Sequence, residues 1–142
     1  MSFPRYDEIV PIAILSVTPE RYKNKPYHRL NVDDVITITD ITIVSYKAKN
    51  KTSGDYIVRK DGTNVLNQTI YFGLSDGSYT SIRNDVVLSQ VAKLTEWKPS
   101  GEKEQYFSLE NPETVKIIEI TTKIGKGENA KTIPIKVLSS VE

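Results

Sequence analysis

Basic and tyrosine residues gather in one part of this chain, between Val44 and Lys60. Five basic side chains and a single acidic one, Asp55, fall in this stretch, which gives it a net charge of +4 in a chain whose total is +1. Tyr46 and Tyr56 lie among them. Basic side chains neutralise phosphates and tyrosine rings stack on bases, so these residue types suit a nucleic-acid strand. Exposed hairpin edges also carry lysine to prevent aggregation, but that alternative leaves the tyrosines unexplained.

A second basic and aromatic segment runs from Arg21 to Arg29 and contains Tyr22 and Tyr27. It has two readings, a solvated connecting loop or a further contact for a nucleic-acid strand. Three more lysines surround a loop near the end of the chain, at Lys123, Lys126 and Lys131.

Catalytic material is scarce. His28 is the only histidine and there is no cysteine, so a catalytic triad, a thiolate metal site and a disulfide all lack their residues. Gly125-Lys126-Gly127 lacks the upstream glycine and the hydroxyl residue of a phosphate loop. The sequence therefore predicts a protein that is not an enzyme and has no metal or cofactor.

The 142 residues are expected to form a single domain, with residues 1–32 as an N-terminal extension and residues 33–142 as the main body. No apolar run is long enough for a signal peptide or a membrane span. We expect no contact with a membrane and a cytoplasmic location, in the host cytoplasm if the source is viral.

The clearest strand pattern runs from Val35 to Tyr46, where apolar and polar residues alternate. Ile36 and Ile38 share a face with Ile41 and Ile43 only if one extra residue is accommodated near Thr39-Asp40. We therefore predict a β-bulge there. Its presence decides whether Tyr46 faces outward or into the core.

Residues 56–60 and 65–74 are expected to be the second and third strands, and residues 78–82 a short returning strand. Tyr71 lies on the face opposite Ile70 and Phe72, and both an outward and an inward orientation are open for it. Asn84 is a good N-cap for a helix that continues to Leu94.

Residues 95–113 contain proline, glycine and serine and predict a long irregular loop. Trp97 and Phe107 are expected to anchor it in the core, and its excess of glutamates should keep it away from a phosphate-binding face. The last two strands are expected at residues 114–124 and 131–138, with Pro134 at an edge or bulge. Residues 9–17 read as a buried strand or a packed extended arm.

Three strands, a small extra hairpin, a helix and two strands is the order of an OB-fold. The predicted fold is thus a mainly β, OB-fold-like, five-stranded Greek-key barrel, with one helix between strands 3 and 4 and an N-terminal extension. An OB-fold binds oligonucleotides or oligosaccharides on its strand 2–3 face.

Residues 35–95 resemble the central region of small single-stranded-DNA-binding proteins of bacteriophages. The resemblance rests on Val35 to Ile43, on Gly54-Asp55-Tyr56, and on Tyr71 to Tyr79 leading into Val86 to Val91. It implies single-stranded DNA of phage replication or recombination as the ligand, replication or recombination proteins as partners, no cofactor, and often a homo-oligomer.

The binding residues implied by this resemblance are the lysines and arginine that would line a groove and the tyrosines that would stack on bases. They are Tyr46, Lys47, Lys49, Lys51, Tyr56, Arg59, Lys60, Tyr71, Lys123, Lys126 and Lys131. The alternative is a protein-interaction module on a small β-barrel, a phage structural or host-interfering factor that pairs with a partner through an edge strand such as Ile133 to Leu138.

Overall fold

The computed structural model describes residues 8–11, 18–48, 53, 55–98, 103–124 and 127–141. They form a mainly β protein with one α-helix, as predicted, and the strands make a curled half-barrel. The strands are β1 (Glu8–Pro11), β2 (Val35–Lys47), β3 (Leu66–Leu74), β4 (Tyr79–Ile82), β5 (Lys103–Ile124) and β6 (Lys131–Ser140), and the helix α1 (Asp85–Thr95) follows β4. The described residues contain no helix with the length and apolar character needed to cross a membrane.

The strands belong to a single antiparallel sheet with β2 near its middle. The order is β1, β5, β2, β3 and β4, and β6 also pairs with β5. β1 includes residues 9–11, the part of the predicted 9–17 element that the structure describes, and it pairs with the start of β5 at the register Ile9 to Gln105. Residues 12–17 lie outside the described range.

The predicted bulge in β2 is confirmed. Ile38 pairs with Leu74 of β3 and Asp40 pairs with Gly73, so Thr39 is one residue more than β3 supplies. Because of this insertion Ile36, Ile38, Ile41 and Ile43 are all buried in one core. The inserted residue lets a long strand keep its isoleucines inward while it bends.

The prediction of a loop over residues 95–113 is wrong from Lys103 onward, where β5 begins. Gln105, Phe107 and Leu109 are buried and the residues between them are more exposed, which is strand alternation hidden by glutamates and an Asn-Pro pair. The ladder with β2 passes from Ser108 to Glu113, so the proline falls where pairing to β2 is interrupted. The burial of Trp97 and Phe107 is confirmed.

The predicted strand at residues 56–60 is also wrong. This stretch has only isolated bridges, including Val58 with Asn64. Its Ile57 amide donates to the carbonyl of Ala48, and the Val65 amide donates to the carbonyl of Ile57. Residues 56–60 are therefore part of an irregular connection between β2 and β3. The strand that pairs with β2 is β3, which the sequence predicted as the third strand.

Helix α1 begins and ends close to its predicted limits. The Asn84 side chain accepts a hydrogen bond from the Val87 amide at 2.7 Å, as an N-cap does. Val87 and Val91 are buried against the core, while Leu88 and Leu94 are partly buried beside it. The helix thus covers one side of the curled sheet.

Two amide side chains of this region also bind the outer edge of β6. Gln90 donates to the Leu138 carbonyl at 2.7 Å and accepts from the Leu138 amide at 3.1 Å. Asn84 donates to the carbonyl of Lys136 at 2.9 Å. Pro134 has the same strand parity, so its missing N–H faces this edge, as predicted. The edge proposed for partner pairing is therefore already occupied at Lys136 and Leu138.

Replacing Gln90 by alanine should lower the free energy of unfolding by about 1–3 kcal/mol, because it leaves two backbone groups of β6 without partners. Urea unfolding measures the loss. Ser89→Ala, at the neighbouring exposed helix position, should stay within about 0.5 kcal/mol of the parent. Equal effects of the two substitutions would contradict the claim that Gln90 stabilises the fold through its two hydrogen bonds to Leu138.

Candidate nucleic-acid interface

The bulge gives the sheet an outer face on the side opposite the isoleucine core. Its members alternate with core residues and lie next to one another in the ladders. They are Asp40, Thr42, Val44 and Tyr46 on β2, Thr69, Tyr71 and Gly73 on β3, Tyr79 and Ser81 on β4, and Glu104 and Tyr106 on β5. We call this set the outer face.

Tyr46 lies on the outer face and away from the core, which is the orientation that the bulge predicted. Its hydroxyl lies 3.3 Å from the hydroxyl of Thr69. The guanidinium carbon of Arg83 lies 5.7 Å from the centroid of its ring. The ring is half-buried. Tyr46 and Arg83 together place an aromatic ring beside a cation on the outer face.

Tyr71 also lies on the outer face, but other rings cover it. Tyr22 stacks on it at a centroid distance of 5.9 Å, and Tyr79 lies 6.4 Å away. Burial, followed by the neighbouring Tyr79, raises the pKa of Tyr71 above its usual value. Tyr71 is therefore packed in a cluster with the rings of Tyr22 and Tyr79 on the outer face.

The cover belongs to the Arg21–Arg29 segment, which we call the covering segment. It packs on the sheet through Tyr22, while most of its other side chains are exposed. Tyr22 is fully buried. The Tyr79 amide donates to the carbonyl of Pro26 at 3.0 Å, and the His28 amide donates to the carbonyl of Tyr79 at 2.7 Å. The segment thus extends the sheet beyond β4 and closes part of the predicted binding face.

Tyr22 is fixed by hydrogen bonds to two residues of β2. Its hydroxyl donates to the Asp40 carboxylate at 3.0 Å and lies 2.9 Å from the Thr42 hydroxyl. Thr39 donates to the other Asp40 oxygen at 3.0 Å. Burial and the charge of Asp40 raise the pKa of Tyr22 far above its ordinary value of 10.0. The carboxylate is paired by hydroxyl groups, as a buried charge must be.

Gly73 provides the space that Asp40 needs. A methyl group added at Gly73 would lie 1.7 Å from an oxygen of the Asp40 carboxylate, well inside contact distance. A glycine is therefore required in β3 because a carboxylate lies across it on β2.

The predicted loop cations fall into separate groups. Lys47 has its ammonium 5.3 Å from the centroid of the Tyr56 ring. Arg59 and Lys60 are exposed in the turn that follows, where Arg59 donates to the carbonyl of Asn64. Lys49 and Lys51 lie outside the described residues.

The lysines of the last hairpin lie at the other end of the ladder. Ser45 pairs with Lys103 and Val35 with Lys116, so β5 reaches Lys123 beyond the Val35 end of β2. Lys123 and Lys131 are exposed, and Lys126 is outside the described residues. One continuous row of lysines along β2 does not form from the described members of the predicted set.

One acidic residue of the presumed loop reaches the outer face, contrary to expectation. Glu104 lies beside Val44 in the ladder and forms an ion pair with Arg21 at 3.2 Å. The Arg21 guanidinium also lies over the Tyr106 ring, 3.9 Å from its centroid. Arg21 therefore offsets the charge of Glu104 at this side of the face.

Sequence reasoning missed a cleft between β4 and β6. It has a volume of about 480 Å³, and its wall includes Tyr27, Arg29, Arg83, Glu119 and Lys136. Tyr27 and Arg29 belong to a segment noted for its composition, but Arg83 and Lys136 carried no local signal. Only the curling of the sheet brings them together.

The described residues offer little for metal or acid–base chemistry. No group of three or more histidine, aspartate or glutamate side chains is placed among them as a metal site would require. His28 lies 3.3 Å from the carboxylate of Asp34, a contact that ties the covering segment to the residues just before β2.

Gly73→Ala should destabilise the fold by about 1–3 kcal/mol, since the added methyl group overlaps the Asp40 carboxylate. Adding Asp40→Ala should remove the overlap, so the double variant should be more stable than the sum of the single effects requires. Thermal or urea unfolding of all four proteins measures this coupling. Strictly additive effects would refute the steric explanation.

Stability should fall at alkaline pH partly because of Tyr22. Above about pH 10 the unfolded chain releases the Tyr22 proton while the folded chain keeps it, so the unfolded state binds fewer protons and the free energy of unfolding decreases as pH rises. Tyr22→Phe should be less stable at pH 7 and should lose up to about 1.4 kcal/mol less per pH unit than the parent above pH 10. Parallel curves for the two proteins from pH 9 to 11 would overturn this account.

No protein-family model, curated protein or solved structure matches this chain. The chemistry of the outer face is therefore inferred from its own residues.

Proposed function

We propose that this protein binds single-stranded DNA without sequence preference and performs no catalysis. The observation that carries the proposal is Tyr46, a ring on the outer face with the guanidinium of Arg83 5.7 Å from its centroid. A ring next to a cation can stack on a base and attract the adjoining phosphate at the same time.

The order of the elements supports an OB-like barrel as the scaffold. The strands β2, β3 and β4, the helix α1, and the strands β5 and β6 follow one another as the five strands and helix of that fold do. β3 and β4 correspond to the strands whose outer side binds oligonucleotides in an OB-fold. Tyr71, Tyr79 and Ser81 lie there, on the same outer face as Tyr46.

The side chains of this face are better suited to contact phosphates and stack on bases than to form hydrogen bonds with base edges. Stacking on tyrosine tolerates any base, and guanidinium groups bind phosphates of any sequence. With a net charge of only +1, affinity must come from local cations and should fall as salt rises. Together with the resemblance to phage proteins, this suits intermediates of phage replication or recombination.

Tyr46→Ala should weaken binding of a fluorescent oligo-dT by about 1–3 kcal/mol in an anisotropy titration at low salt, because a stacking platform is lost. Tyr46→Phe keeps the ring and loses only the hydroxyl near Thr69, so it should bind within about two-fold of the parent. Unfolding curves of both variants establish that the fold is retained.

The parent should bind oligo-dT more tightly than a duplex of equal length, and the affinity should decrease steeply between 50 and 200 mM salt. Comparing oligo-dT with oligo-rU measures the preference for DNA. Absent or salt-insensitive binding to oligo-dT would refute the proposed function, and equal binding by Tyr46→Ala would remove Tyr46 from the interface.

A further inference from the structure

The cleft between β4 and β6 lies at the seam where the half-barrel remains open. In the described ladders β4 pairs with β3 and β6 pairs with β5, and no ladder joins β4 to β6. Ser81 and Arg83 line it on the β4 side and Pro134 and Lys136 on the β6 side, and the lining also includes Tyr27, Arg29 and Leu30. Its volume of about 480 Å³ lies in the range of sites that hold small ligands.

The cleft carries an excess of positive charge. Three cations, Arg29, Arg83 and Lys136, line it together with one carboxylate, Glu119. Arg29 and Arg83 are exposed, and within the described part of the chain neither has an acidic group at ion-pair distance. Two unpaired guanidinium groups at one opening are suited to bind a phosphodiester, which each can contact through two N–H groups.

Lys136 is held in place within the cleft. Its ammonium donates to the carbonyl of Leu30 at 2.9 Å, which uses one of three donors and ties β6 to the residue that follows the covering segment. This hydrogen bond holds the positive charge near Glu119, its cross-strand neighbour, and leaves two donors for a ligand.

An aromatic ring lies at the same opening. Tyr27 is 53% exposed, and it contacts Tyr79 edge to face at a centroid distance of 5.4 Å. Its hydroxyl lies 3.4 Å from that of Ser81. Tyr79 and Ser81 thus support a ring that keeps half of its surface available for stacking.

From these contacts we infer that the cleft is a nucleotide subsite, in which Arg29 and Arg83 bind a backbone phosphate and Tyr27 stacks on the adjoining base. The inference rests on the proposed function and adds a path for the strand. Arg83 lies between Tyr46 and the cleft, so the strand passes from the outer face across the end of β4 into the seam. The covering segment, which closes the face at Tyr71, supplies two of the contacts.

The arginines are tested by the salt dependence of oligo-dT binding. Each phosphate contact on a single strand contributes about −0.7 to the slope of log affinity against log salt. The double variant Arg29→Ala/Arg83→Ala removes both contacts to one phosphate and should lose about 0.7 units of slope, so that between 50 and 200 mM salt the parent loses about 2.6-fold more affinity than the variant. Lys93→Ala/Lys98→Ala is the matched control, since it removes the same charge from exposed positions outside the cleft and should keep the parent slope.

The ring is tested with a second pair of variants and an abasic strand. Tyr27→Ala should weaken oligo-dT binding by about five-fold or more at every salt concentration, without changing the slope, while Tyr27→Phe should bind as the parent does. On a strand of abasic residues Tyr27→Ala should have no effect, whereas the arginine variant should still lose slope.

The outcomes separate the two proposals. If the parent binds oligo-dT and the arginine double variant keeps the parent slope, the subsite is refuted and the proposed function stands. If Tyr27→Ala weakens the abasic strand as much as oligo-dT, stacking at Tyr27 is refuted. If the parent does not bind oligo-dT, the proposed function fails and the subsite fails with it.

Discussion

One extra residue in β2, Thr39, determines which side chains the rest of the protein can use. The isoleucines before it and after it reach the same core only because the strand gains a residue relative to β3. In an uninterrupted strand Ile41 and Ile43 would face outward and Tyr46 would point into the core. The core and the candidate interface are therefore set by the same backbone irregularity.

The bulge also places a carboxylate, Asp40, on the outer face under the covering segment. A charge in that position requires hydrogen bonds and room. The hydroxyl groups of Tyr22 and Thr39 provide the bonds, and Gly73 provides the room. The neighbouring Thr39 and two distant parts of the chain, at Tyr22 and Gly73, are thereby adapted to one side chain, and the covering segment is held as part of the fold.

Local patterns predicted much of this architecture. The alternation in β2 and β3, the cap at Asn84 and the orientation of Tyr46 could be read from neighbouring residues, because each depends on nearby backbone geometry. The stretch at residues 56–60 has the composition of a strand, yet its Ile57 amide donates to the Ala48 carbonyl and its Ile57 carbonyl accepts from the Val65 amide, so it forms no ladder with β2. The start of β5 was hidden for the opposite reason, since its glutamates and proline resemble a loop.

The candidate site was less predictable from sequence than the fold. Arg83 and Lys136 belong to different parts of the chain and meet only because β4 and β6 curl toward each other. The partial covering of Tyr71 depends on where Tyr22 packs, which no local pattern records. Composition indicated the basic and aromatic character of residues 21–29, but their position required the tertiary structure.

The contacts of the Asn84 and Gln90 side chains with β6 relate a distance along the helix to a distance along the strand. Asn84 and Gln90 are separated by about 9 Å along a helix, and the Lys136 and Leu138 groups that they bind are separated by about 7 Å along a strand. Flexible side chains absorb the difference of about 2 Å, so both amides reach the same edge of β6. Inserting or deleting a residue between Asn84 and Gln90, or between Lys136 and Leu138, would break at least one of these contacts. Sliding β6 by one residue would point its bonded groups away from the helix. A change in the length of α1 would therefore require a matching change in the position of β6.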